Sequence, residues 1–320
     1  MKTNSFLLYG ANGYTGELIA RYAHQYNLQP ILAGRRKEVI EPLANRLQLP
    51  YRIFDMNDEA ALLAALKEVK VVVNAAGPFQ FTAKQMIEAC LQTGTHYLDI
   101  NGDIAVFEML KRFDDAAKKA GIMLLPGAGF DVVPTDCLAL QLKKLLPDAV
   151  SLQLAFATLG GGLSHGTATT MVTKLGQGGA TRKDGKIIRR PLGQKGMWVD
   201  FSAGSSGGLK KLFVMSIPWG DISTAYSSTA IPNIESYTGI SRKVYYLLKL
   251  QFLFNWLLRT NLVRNYLKKK INRRPAGPSD AQRNKATSLV WGRATTATGK
   301  IATVRLSGPE GYTLTTLGTL

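Results

Sequence analysis

The stretch Phe6-Leu7-Leu8-Tyr9-Gly10-Ala11-Asn12-Gly13-Tyr14-Thr15-Gly16 decides how the first half of this chain is read. Four apolar, β-prone residues run into a glycine. Glycines then recur at intervals of three, at Gly10, Gly13 and Gly16, before a segment of helical periodicity near 14–26. Strand, glycine turn and helix together suit a bound pyrophosphate. Glycine permits the tight turn and the close backbone approach, and the N–H groups at the helix start meet the anion with the positive end of the helix dipole. Glycine spacing alone is a weak signal; its place between a strand and a helix gives it weight. The apolar run before it is too short for a signal-peptide core and reads as a first strand.

Outward from this loop the same alternation continues. Short apolar runs at Phe6–Tyr9, Pro30–Ala33, Tyr51–Phe54, Val71–Ala75, His96–Ile100 and Ile122–Leu125 read as strands, with helices near 14–26, 37–48, 58–67, 80–93, 103–120 and 134–146. That pattern predicts a parallel sheet wound by crossover helices. The expected fold class is α/β: a Rossmann-type domain over 1–148, then a mixed α/β substrate or dimerisation domain over 149–320. In the second part 150–158 alternate with period two, Gly166–Lys174 suggest a helix, and the glycine-rich, basic residues 176–211 suggest loops and hairpins. Leu212–Ile217 reads as a strand, and Ala286–Arg293 pairs with Ile301–Leu306 through a turn at Thr298-Gly299. Residues 241–271 read as one or two helices rich in Leu, Phe, Tyr and Trp.

The second strand bears on the choice of cofactor. An acidic residue there accepts the ribose 2′-hydroxyl of NAD, whereas a 2′-phosphate needs a cation. This chain has Gly34-Arg35-Arg36-Lys37 with no acid before Glu38, so guanidinium groups suited to phosphate stand where the carboxylate would be. The expected cofactor is NADP. Asp55, at the end of the third strand, is placed to approach the adenine. Ala75-Ala76-Gly77-Pro78 after the fourth strand are small enough to let the chain pass beneath the ribose and nicotinamide.

A length of 320 residues suits two domains, and 46% hydrophobic residues promise a sizeable core. Cys90 and Cys137 lie in apolar helical stretches without metal-ligand spacing, which implies buried thiols, no metal site and a reducing cytoplasm. The formal net charge is +18, and ten of the cations, Arg242 through Arg274, fall where no acid occurs between Glu235 and Asp280. Lys249, Asn255 and Arg259 interrupt that segment's apolar run, which argues against a membrane-spanning helix. No groove-reading module accompanies these charges, so nucleic acid is not an expected partner. Peripheral contact of residues 241–274 with an anionic membrane and a homodimer interface both stay open.

Taken together, Gly10 through Gly16, Ala33-Gly34-Arg35-Arg36, Asn74 through Phe79, Tyr97-Leu98-Asp99-Ile100-Asn101-Gly102-Asp103, Gly129 through Asp136, Ser164-His165-Gly166-Thr167 and Gly277 through Gly292 resemble the saccharopine dehydrogenase-like oxidoreductases, including proteins labelled trans-acting enoyl reductase. The resemblance implies an NADP-binding domain, a substrate domain and hydride transfer in a cleft between them. It also implies a further C-terminal segment after Gly311-Tyr312-Thr313-Leu314-Thr315-Thr316, so either a truncation at Leu320 or loss of that segment is an expectation. Two groups stand out as candidate acids. Asp131 follows the Gly127-Ala128-Gly129-Phe130 turn, with helix capping by Asp131 or Thr135 as the alternative. His165 opens a helix after a glycine turn, with an ordinary surface histidine as the alternative. The Tyr-x-x-x-Lys pair of short-chain dehydrogenases is missing near residue 150; Tyr245…Lys249 and Tyr266…Lys270 have the spacing but fall about a hundred residues late. The expected function is NADP(H)-dependent hydride transfer to or from an apolar or lipid-like molecule. The alternative is a non-catalytic NADP-sensing or membrane-associated binding module.

Overall fold

A computed structural model of the chain describes residues 4–202 and 211–320. Its contacts divide it into two units, Met1–Asp131 with Tyr312–Leu320, and Val132–Gly311.

In the first unit β1 (Ser5–Tyr9), α1 (Tyr14–Tyr22), β2 (Gln29–Gly34), α2 (Lys37–Leu47), β3 (Tyr51–Ile53), α3 (Glu59–Lys67), β4 (Val71–Asn74), α4 (Phe79–Thr93), β5 (His96–Asp99), α5 (Ile104–Leu110), α6 (Asp114–Ala120) and β6 (Leu124–Leu125) follow in order. The strands form one parallel sheet ordered β3-β2-β1-β4-β5-β6. A parallel sheet carries helices on both faces, and β1 shows why it needs them. Leu7 and Tyr9 pack with Leu62, Val72 and Met86 on one side, while Phe6 and Leu8 pack with Ile19, Leu32 and Ile40 on the other. Each fully buried leucine contributes about 2 kcal/mol through removal from water. The expected helix over 103–120 is instead α5 and α6 joined by a 3-10 turn at Lys111–Phe113.

The second unit begins with α7 (Val133–Leu145), continues through β7 (Ala149–Leu159), α8 (His165–Thr173), β8 (Gly179–Lys183), β9 (Lys186–Arg190), β10 (Gly196–Asp200), β11 (Lys211–Ile217), α9 (Asp221–Thr229), β12 (Asn233–Gly239), α10 (Arg242–Lys249), α11 (Asn255–Leu258), α12 (Asn261–Asn272), α13 (Asp280–Lys285), β13 (Thr287–Thr296) and β14 (Ile301–Pro309), and leads into α14 (Gly311–Thr319). Its sheet runs β10-β11-β12-β7-β13-β14, with the β8/β9 hairpin attached to β12. β12 and β7 are parallel and the remaining pairs antiparallel, so the sheet is mixed as expected.

The division falls at 131/132, where a boundary at 148/149 was expected. The difference is α7, whose buried Leu138 and Leu142 pack onto β13. At Gly292 an added Cβ would sit 2.1 Å from Leu138 Cδ2, so the glycine lets helix and strand approach. Cys90 is buried as expected, but Cys137 is exposed, because it lies on the face of α7 opposite those leucines. The β8/β9 hairpin turns through Asp184 and Gly185, both at positive φ, as a tight two-residue hairpin requires. Residues 203–210 of the loop-rich stretch lie outside the described residues. No pattern marked α9, whose sequence Asp-Ile-Ser-Thr-Ala-Tyr-Ser-Ser-Thr has little helix propensity; buried Ile222 and Ala225 hold it by packing.

Candidate functional site

The strand order of the first sheet reverses at β1, with β2 on one side and β4 on the other. In doubly wound sheets the crevice at the carboxyl edge of such a reversal is where a ligand fits. Gly10 leaves β1 with φ +83°, and its N–H donates to the Ala33 carbonyl at 2.9 Å. A Cβ on Gly10 would lie 2.8 Å from the Ala76 nitrogen and 2.9 Å from the Ala75 carbonyl carbon. The loops after β1 and β4 therefore meet backbone to backbone. At Gly16 a Cβ would lie 2.4 Å from the Gly10 oxygen and 2.9 Å from Ala11 Cα, so α1 starts against the loop that precedes it. Gly13 is its N-cap, with extended backbone and no capping side chain. The uncapped first turn, comprising Tyr14, Thr15 and Gly16, fits a pyrophosphate group.

After β2, Gly34 lies beside the loop: a Cβ there would be 3.3 Å from Asn12 Oδ1. Arg35 and Arg36 follow, both exposed, with Arg36 as N-cap of α2. Asp55 is exposed and accepts hydrogen bonds from the Asn57 backbone and side chain, each at 2.9 Å. Its charge also reaches Tyr9, whose hydroxyl pKa is raised, first by burial and then by Asp55. Ala75, Ala76, Gly77 and Pro78 bring the β4 loop to the same edge, through a cis Gly77–Pro78 peptide.

Beneath this edge lies a buried polar network that the sequence reading treated only as part of a motif. Asn74 Oδ1 accepts from the Ala76 N–H at 3.1 Å, and its Nδ2 donates to Thr82 Oγ1 at 3.2 Å. The Tyr97 hydroxyl donates to Asp99 Oδ2 at 2.7 Å. Asp99 Oδ1 accepts from the Asn101 N–H, the Asn101 side chain and the Gly127 N–H at 3.0, 2.6 and 2.8 Å. Burial raises the Asp99 carboxyl pKa although all these donors pull it down, and burial drives the Tyr97 hydroxyl well above its ordinary value. Asn74 Nδ2 also donates to the Tyr97 hydroxyl at 3.5 Å, so the network links the loops after β4, β5 and β6. Their only sequence trace was polar residues closing apolar strands.

Asp131 belongs to the same edge: a Cβ on Gly102 would lie 2.8 Å from Asp131 Oδ2, so the carboxylate packs over the loop after β5. The N-cap position of α7 is taken by Val132, without a side-chain bond. Thr135 Oγ1 instead lies 2.9 Å from the Val132 carbonyl and 2.5 Å from Asp221 Oδ1. A second contribution missed by the sequence comes from the chain's far end. α14 returns to the first unit, where Tyr312 meets the Tyr14 ring edge-on at 5.0 Å and Thr315 Oγ1 accepts from the Phe130 N–H at 3.0 Å.

His165 lies in the second unit at the start of α8, with Ser164 as cap. Its Nε2 is 2.7 Å from the Arg274 carbonyl and its N–H donates to the Ala276 carbonyl at 2.8 Å. Facing a carbonyl, Nε2 carries the proton and donates it, so the imidazole ties α8 to the segment after α12. Tyr245 is buried against Phe213, with the Lys249 ammonium 5.2 Å from its ring centre, a packing arrangement and not an acid/base pair. Among the described residues no cluster of His, Cys, Asp and Glu could hold a metal.

The fold and this edge define a dinucleotide-binding protein of the doubly wound class. Residues 6–125, which lie within the first unit, match the family model described as saccharopine dehydrogenase NADP binding domain. Over 202 residues the chain is 26% identical to a saccharopine dehydrogenase-like oxidoreductase of Mus musculus, covering 55% of this chain and 47% of that protein. Over 214 residues it is 28% identical to a lipid droplet localized protein of Caenorhabditis elegans, covering 61% and 50%. The chain thus spans about half the length of these relatives. The solved structure of apo histidine-tagged saccharopine dehydrogenase (L-Glu forming) from Saccharomyces cerevisiae shares the fold, with a TM-score of 0.63 at 13% identity over 98% of this chain and 89% of that one. The resemblance read from the motifs is therefore borne out.

Proposed function

We propose that this chain is an NADP(H)-dependent oxidoreductase acting on an apolar small molecule. The observation that carries the proposal is the glycine edge at the sheet reversal, followed by Arg35 and Arg36 where NAD-binding proteins place an acid. When bound, NADP(H) would donate or accept the hydride. The chain's residues would hold it: Gly10, Asn12, Gly13, Tyr14, Thr15 and Gly16 would receive the pyrophosphate. Gly34, Arg35 and Arg36 would receive the 2′-phosphate, Asp55 would contact the adenine, and Ala75 through Pro78 would contact the nicotinamide half. Reduction of a C=O, C=N or conjugated C=C bond also requires one proton, and Asp131 at this edge is the group we assign to supply it. His165, whose Nε2 proton is already given to the Arg274 carbonyl, is assigned to positioning. The apolar substrate class is supported by the C. elegans relative, whose name places it on lipid droplets.

The test is loss of NADPH absorbance with a panel of apolar enones, imines and ketones. The expected result is turnover with one class, falling about 100-fold or more in Asp131→Asn while NADPH affinity is kept. NADPH binding without turnover on any member would favour the non-catalytic module.

A further inference from the structure

Residues 242–272 form a surface on which polarity is inverted. Ten of the 24 large hydrophobic side chains that stand exposed among the described residues fall between Val244 and Tyr266. Leu262 is 85% exposed, Trp256 71%, Leu247 67% and Tyr266 66%. A cluster of this kind is the mark of an interaction site, whereas scattered exposed leucines are ordinary.

The segment is fastened to the second unit on its other side, so the exposure belongs to a folded face. Tyr245 is buried with Met215 and Ile217, and Ile271 is buried near the end of α12. The Arg259 Nε and Nη2 donate to the Gly176 carbonyl at 2.9 and 2.6 Å, and Arg264 Nη2 donates to the Leu175 carbonyl at 3.2 Å. His165 holds the Arg274 carbonyl. Two guanidiniums are thereby spent inward, while Lys243, Lys269, Lys270, Arg273 and Arg274 stay exposed. No acid occurs from 236 to 279.

We infer that this face docks peripherally on an anionic phospholipid surface. The charge selects the occupant. Two copies meeting through the same face would set one acid-free cationic segment against another, which like-charge repulsion opposes. Nucleic acid would satisfy the cations but leave Leu247, Leu253 and Leu262 in water. An anionic bilayer satisfies both: headgroups meet the lysines and arginines, and the acyl boundary takes the aliphatic and aromatic side chains. The contact lies on the surface, because no helix among the described residues is long and apolar enough to cross a membrane. The inference stands independently of hydride transfer.

The full chain is tested by co-sedimentation with phosphatidylcholine vesicles, with and without about one-third phosphatidylserine. The expected result is at least about tenfold stronger binding to the serine-containing vesicles, a blue shift of tryptophan emission as Trp256 enters the interface, and weakening in high salt. Leu247→Ser/Leu253→Ser/Leu262→Ser should lower vesicle binding about tenfold or more, and Lys268→Glu/Lys269→Glu/Lys270→Glu should abolish the preference for phosphatidylserine, both with thermal midpoint and NADPH affinity unchanged. Equal binding to both vesicle types would overturn the proposal. So would a dimer in light scattering that only the leucine variant dissociates, or RNA bound in preference to vesicles.

Discussion

The carboxyl edge of the first sheet and the face formed by residues 242–272 are built on opposite terms. At the edge, polar groups are buried and satisfied: Asp99 is fully buried yet accepts four hydrogen bonds, and the Gly10 and Gly16 backbones leave no room for a single Cβ. On the face, leucines and a tryptophan stand exposed in a segment that also carries exposed cations. Geometry specifies the first region and composition the second. A substitution of one methyl group should therefore be felt at the edge and tolerated on the face.

The sharpest break of that contrast is Gly16→Val. A Cβ already falls 2.4 Å from the Gly10 oxygen, so the loop must move; we expect a loss of about 4 kcal/mol in urea unfolding and no measurable NADPH binding. Leu262→Ser, removing a much larger apolar group on the face, should change stability by less than about 0.5 kcal/mol. Next in size is Asp99→Leu, which strands the Tyr97, Asn101 and Gly127 donors in the interior and should cost about 3 kcal/mol. Thr315→Val leaves the Phe130 N–H without its acceptor, and about 1 to 2 kcal/mol is expected.

The smallest effect is a matter of pH. Burial raises the Asp99 pKa above its ordinary 3.8, so the folded chain holds that proton more tightly than the unfolded chain. Its contribution is complete below the unfolded value and is lost as pH rises through the folded one. Asp99→Asn does not titrate, so its stability should fall less than that of the wild type across this window, read from urea midpoints at successive pH values.

The same contrast explains what was legible in the sequence. The glycine loop could be read because close backbone approach admits one residue type, and the missing acid before Glu38 because a ribose contact has one place to come from. The Asn74–Tyr97–Asp99–Asn101 network was not legible as a network: its bonds cross three strands, and a lone Asp closing an apolar strand looks the same whether buried or wet. Tyr312 and Thr315 were hidden by distance, nearly three hundred residues separating Tyr312 from its Tyr14 partner. α7 reads as a last crossover helix from its period alone, and only the absence of a side chain at Gly292 shows that it packs on β13. In the basic segment composition gave the ingredients but not which side chains stand exposed, because α10, α11 and α12 are short, of eight, four and twelve residues.

The central claim is that the edge after β1 and β2 selects NADP(H). It is tested most directly by titrating the wild type and Arg35→Ala/Arg36→Ala with NADPH and with NADH, following nicotinamide fluorescence. The account predicts that the wild type binds NADPH at least about tenfold more tightly, and that the double variant loses this preference while its NADH affinity stays within about threefold. Equal affinity of the wild type for both nucleotides, or a preference that survives loss of both arginines, would contradict it.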